Sequence, residues 1–224
     1  MISWMHIVDI GHTAVMVPVA GAIAAWLLST RQAKLAIYWC ALFTAGLGLV
    51  ALSKIAFLGW GMEIPALGFK ALSGHAWRAT AVLPVLFFVL LQRAPAPWAR
   101  GGALLGVALG MGLGSLLIVF EFHTRSEVVA SVILGIAASA TFIRFASGAT
   151  PPRPSLWTIP VSLVTFVMIW GAEPSSVTPR LVDVALYLSG RDYPYRWLES
   201  RGRQLPPSYA PGGVGENCGP GSID

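Results

Sequence analysis

The sequence predicts an all-α fold, a polytopic bundle of about six helices in a membrane. Three observations lead there. Of 224 residues, 55% are hydrophobic and only 11% are charged, where a soluble domain would carry roughly a quarter charged residues. The apolar residues run in long stretches broken by short clusters of Arg, Lys, Gly and Pro. Each stretch approaches the about 20 apolar residues that a helix needs to cross hydrocarbon.

The stretches are residues 14–29, 36–58, 76–91, 101–120, 128–145 and 156–170. The last is the shortest and contains Pro160; Gly and Pro are tolerated in spans, where neighbouring helices re-satisfy the backbone. In the fourth, Gly102, Gly106, Gly110 and Gly114 recur at every fourth position, a spacing that lets helices approach closely. Residues 1–172 thus read as one membrane domain.

The charges set the expected topology. No Lys or Arg precedes Arg31, so the N-terminus lacks the basic region of a secretory signal. Three connections are purely basic, with Arg31 and Lys34, Arg93 and Arg100, and Arg144 and Arg153. All three fall on one side, which the positive-inside rule makes cytoplasmic. The 59–75 and 121–127 loops and the tail then lie outside. The net charge of +5 is a topology signal, with no nucleic-acid footprint. Cys40 and Cys218 are expected on opposite sides of the membrane and in no metal-type spacing.

From Glu173 the composition shifts, with seven Pro and seven Gly in 52 residues. Thr178-Pro179 followed by apolar residues to Leu188 predicts a short amphipathic helix, with Pro in its first turn. Tyr193, Tyr195 and Trp197 among arginines fit a segment at headgroup level. The stretch after Gln204 reads as disordered. There is no internal repeat.

Ionisable residues beside spans are costly and mark function by default. They concentrate in the two outside loops. The first holds Lys54, Glu63, Lys70 and Ser73-Gly74-His75, with Arg78 one turn further; the second holds Glu121, His123, Arg125 and Glu127. Ser73-Gly74-His75 reads either as a capping turn or as a phosphate site, because Ser caps helices and free amides at a helix start bind anions. His123 and Glu127, four residues apart, are either an incidental polar pair or an imidazole oriented by a carboxylate. Two His, a carboxylate and several cations on one membrane face suit phosphoryl transfer. One His attacks phosphorus, the other protonates the leaving oxygen, and the cations hold the charge.

These residues resemble the type-2 phosphatidic acid phosphatases, or lipid phosphate phosphatases, over roughly residues 9–146. The resemblance is carried by Lys54, by Leu-Ser-Gly-His-Ala at 72–76 and by His-Thr-Arg-Ser-Glu-Val-Val-Ala at 123–130. It implies a six-span enzyme that uses no metal or other cofactor. His123 would become phosphohistidine, Glu127 would orient it, and His75 would be the general acid. Lys54, Ser73 and Gly74 would hold phosphate. The sequence departs from the family where the Arg-Pro after the motif Lys would stand, at Gly61 and Met62, and at Leu72, which replaces a Pro. Leu117 stands where the third motif has an Arg, and Glu127 replaces an Asp. Arg78 and Arg125 are the candidate substitutes for the two arginines, or else interfacial anchors.

The expected function is therefore metal-independent hydrolysis of an amphiphilic phosphate or diphosphate, phosphatidate-like or polyprenyl, at the outer face of a bacterial inner membrane. Its partners would be membrane lipids and that substrate. A non-catalytic relative that binds lipid phosphate or a partner is the alternative. A transporter fits less well, because no acidic residue lies mid-span.

Overall fold

The computed structural model describes residues 13–149, 156–171 and 177–195. Each predicted apolar stretch is a helix: α1 Thr13–Ser29, α2 Ala33–Trp60, α3 Gly74–Leu91, α4 Ala96–Val119, α5 Arg125–Ser147 and α6 Thr158–Gly171. The amphipathic segment is α7, Val177–Ser189. Arg153, Trp197, Cys218 and the stretch after Gln204 lie outside the described residues. The chain is an all-α membrane-type bundle.

Four helices, α2 to α5, are long and apolar enough to cross a bilayer. The other two are shorter than expected of full spans. α6 has 14 residues, which at 1.5 Å each covers about 21 Å, against a hydrocarbon core of about 30 Å. α1 and α6 pack on each other through Gly21, where a methyl group would collide with Ile169.

α3 is the hub. Two thirds of its apolar window (67%) is buried, against 28–33% in the other three long helices. Small residues make this possible. The glycine stripe of α4 lies on α3, and a Cβ at Gly106 would stand 2.5 Å from the Pro84 nitrogen. On the opposite flank the Trp77 indole covers Gly46 of α2, with Phe43 at 5.3 Å between ring centroids. The Trp39 indole N–H donates to the Ala20 carbonyl at 3.0 Å, tying α2 to α1. Leu104, Ile37 and Ile133 stay exposed, as lipid-facing side chains do.

The antiparallel order puts the ends of α2 and α4 with the starts of α3 and α5. Lys54, Ser73 and His123 therefore share one end of the bundle, while Lys34, Arg93, Arg100 and Arg144 share the other. α7 folds back on the first of these ends. Ala185 is buried, its carbonyl 3.0 Å from where a Gly59 Cβ would stand, and the Tyr195 N–H donates to the Leu58 carbonyl at 2.9 Å.

Candidate functional site

The site begins with how α5 starts. Thr124 is its N-cap and Glu127 occupies N3, forming a reciprocal capping box. That box aims the Glu127 carboxylate back toward the preceding residue, His123. Glu127 Oε2 accepts from the Thr124 N–H at 3.1 Å and lies 2.9 Å from His123 Nδ1. Its Oε1 accepts from the Lys70 N–H at 3.2 Å, so the first loop is stitched to the second. Glu127 is 1% exposed. A carboxylate only accepts, so in the neutral imidazole Nδ1 carries the proton and Nε2 the lone pair. The His123 side chain, 15% exposed, retains an opening.

α3 starts beside it. Ser73 caps the helix, its Oγ accepting from the Ala76 N–H at 3.5 Å. Its own N–H donates to Ser131 Oγ at 2.7 Å, and Ser131 Oγ donates to the Glu127 carbonyl at 2.6 Å. The two helix starts are thus joined through one hydroxyl. Leu72 N–H donates to Ser53 Oγ at 3.0 Å, which fixes the same strand of chain to α2. Ser73 is wholly buried and acts as the fastener of the helix start. Gly74 and His75 occupy its first two positions, where amides have no acceptor within the helix. His75 is half-buried there.

One turn on, Arg78 runs back toward the start of α3, as helical side chains do. Its Nη1 and Cζ lie 3.0 and 3.5 Å from the place of a Gly74 Cβ, so the missing side chain at Gly74 makes room for the guanidinium. Arg78 is only 7% exposed, and its Nε meets no hydrogen-bond acceptor among the described residues. Lys54, half-buried on α2, lies within electrostatic reach of both Arg78 and Glu127.

The structure therefore gathers Lys54, Ser73, Gly74, Arg78, His123 and Glu127, with His75 on the adjoining turn. Arg125 is exposed at the first position of α5 and shares none of these contacts. Sequence reasoning missed Ser53 and Ser131. The available signal for Ser131 was a hydroxyl in an apolar span one turn after Glu127. Among the described residues, no three His, Cys, Asp or Glu side chains are placed to hold a metal ion.

Gly61 and Leu117 have structural duties of their own. Gly61, at φ 66°, ends α2 by donating to the Phe57 carbonyl at 2.8 Å, and the Tyr195 ring lies against it. Leu117 is buried between Ala76 and Val128.

The fold and this cluster define an α-helical membrane protein with a His–Glu pair, a buried arginine and a half-buried lysine at one end of the bundle. No protein-family model and no solved structure matches the chain. It is 31% identical over 142 residues to an uncharacterized 22.5 kDa protein in the cps region of Klebsiella pneumoniae, a stretch that covers 63% of this chain and 68% of that protein. The chain belongs to the same family as that protein.

Proposed function

We propose that the protein is a phosphatase for an amphiphilic phosphate or diphosphate, working through a phosphohistidine on His123. The observation that carries the reading is a buried guanidinium and a half-buried ammonium beside an oriented imidazole. Arg78 Nε meets no acceptor among the described residues, and the carboxylate within electrostatic reach of Lys54, Glu127, is already occupied by His123 and two backbone amides. Two desolvated cations with so little compensation make a site for an anion. A planar guanidinium fits a phosphoryl group through two prongs.

The chemistry follows from the roles. His123 Nε2 attacks phosphorus, the bond from phosphorus to the lipid oxygen breaks, and His75 as imidazolium gives that oxygen its proton. Water then attacks the phosphohistidine. Neutral His75 takes the water proton, the nitrogen–phosphorus bond breaks, and inorganic phosphate leaves. Arg78, Lys54 and the start of α3 hold charge on the equatorial oxygens throughout, the main lever in phosphoryl transfer. The resemblance to the lipid phosphate phosphatases supports the same assignment. Gly61 and Leu117 stand where that family has arginines, and Arg78 supplies a guanidinium from a different helix. The basic connections support a bacterial inner membrane with this end outside.

A second reading, lipid-phosphate binding without turnover, is favoured by those same two substitutions. One assay separates them. Purified protein in detergent is given a panel of lipid phosphates and diphosphates, and inorganic phosphate is measured. Release by the wild type and none by His123→Ala is expected; binding without release from any substrate would establish the second reading.

A further inference from the structure

At the end of the bundle away from His123, α4 and α5 part. Near the site they touch, with a Cβ at Gly114 standing 3.1 Å from Val128 and Leu117 packed on the same valine. Toward the other end they leave a cleft of about 520 Å³ with apolar walls from Leu104, Val107, Ile136 and Ile143 and a floor from Pro84 of α3. Arg100 of α4 and Arg144 of α5 both line it, and both are exposed. Ala140, also on its wall, is exposed, so the cleft opens toward the lipid.

Among the described residues, no carboxylate balances these arginines. Residues 64–120 and 128–172 contain no Asp or Glu, and none lines the cleft. Lys34 adds a third cation in an adjoining cleft that Arg144 also lines. The positive-inside rule accounts for the side on which the arginines stand, but not for an apolar cleft beneath two of them. An occupant must offer an anionic head at the level of the arginines and hydrocarbon below it. Basic pockets between spans on this side take anionic lipid headgroups.

We propose that this cleft binds one anionic phospholipid of the adjacent leaflet, its phosphate between Arg100 and Arg144 and an acyl chain along the α4–α5 wall. The site is separate from the His123 cluster and does not depend on the reaction proposed there.

Native mass spectrometry of the full-length protein, extracted from mixed micelles of phosphatidylglycerol and phosphatidylcholine, tests this. The wild type should retain phosphatidylglycerol preferentially, by about fivefold for each arginine. The Arg100→Gln/Arg144→Gln variant should fall to parity, while Arg93→Gln, at the same end but outside the cleft lining, should keep the preference. Ala140→Trp, which keeps both charges and fills the wall from an exposed position, should retain less of both lipids. Equal retention of the two lipids by the wild type, an unchanged preference in the double variant, an equal loss in Arg93→Gln, or wild-type retention by Ala140→Trp would each overturn the site.

Discussion

Among the described residues, the two ends of the bundle differ in whether they bury any of their cations. Lys34, Arg93, Arg100 and Arg144 are exposed at one end, each free to snorkel into water or headgroups. At the other, Arg78 is buried and Lys54 half-buried, with Glu127 within electrostatic reach of Lys54. Taking a charge out of water costs several kcal/mol even after relaxation. An exposed cation can serve topology at little cost, whereas a buried arginine beside a half-buried lysine, with the nearby carboxylate already occupied, calls for an anion. Position in the sequence alone does not separate the two kinds of arginine; their burial does.

That contrast can be broken most severely at His123. His123→Ala should lower phosphate release by about 10⁴-fold or more, since removing a nucleophile leaves only binding and charge stabilisation. Next comes Glu127→Gln. An amide can present its NH2 to Nδ1 and stabilise the wrong tautomer, so kcat should fall by roughly 10²–10⁴-fold with little change in KM. Arg78→Lys keeps the charge and loses the fork, and should cost about 10²–10³-fold in kcat/KM. Exposed Arg125→Lys should stay within about fivefold of wild type on the same lipid substrate. A loss at Arg125 equal to that at Arg78 would remove burial as the criterion that distinguishes the cations.

The pH profile sharpens the same site. Attack needs an unprotonated nucleophile and departure a proton donor, so the rate should be bell-shaped in pH. The His75→Ala variant should lose the alkaline limb and recover part of its rate on substrates with better leaving groups. A smaller effect falls on stability. Ser131→Ala leaves the Ser73 N–H buried without an acceptor, and should destabilise by about 1–3 kcal/mol, read as a lower Tm. At the exposed end, Arg93→Gln should change neither rate nor Tm measurably.

The helices were legible because a bilayer demands long apolar runs, and α3 differs from its predicted span by only two residues at its start. The start of α5 was legible in principle. Thr124 and Glu127 have the spacing of a capping box, which moves the helix start back to Arg125 and fixes the His123–Glu127 geometry. Arg78 could be preferred over Arg125 from sequence, because a helix holds a side chain more firmly than a loop does, but its burial was not legible there. Its seat depends on Gly74 and on how α2 and α3 pack. Ser131 was hidden for the same reason, being one hydroxyl in an apolar span whose partner lies 58 residues away. The shortness of α6 was legible in its apolar stretch, the shortest of the six, which also carries Pro160. Arg153 and Cys218, used for the expected topology, lie outside the described residues. Orientation is therefore best read from exposed positions. In a background with Cys40 and Cys218 replaced by Ser, Glu121→Cys should react with an impermeant thiol reagent on intact cells, and Arg93→Cys only after permeabilisation. The reverse pattern would place the His123 cluster on the cytoplasmic side.

The central claim is that this cation-lined His–Glu pair transfers a phosphoryl group, and the covalent intermediate tests it most directly. The purified protein is mixed with a lipid phosphate labelled in its phosphoryl group, quenched in base within the first turnover, and examined for protein-bound label. The wild type should carry label that survives base and is released by acid, as a phosphohistidine does, and the His123→Ala protein should carry none. Steady release of phosphate with no protein-bound label at any time, or equal labelling of the His123→Ala protein, would contradict it.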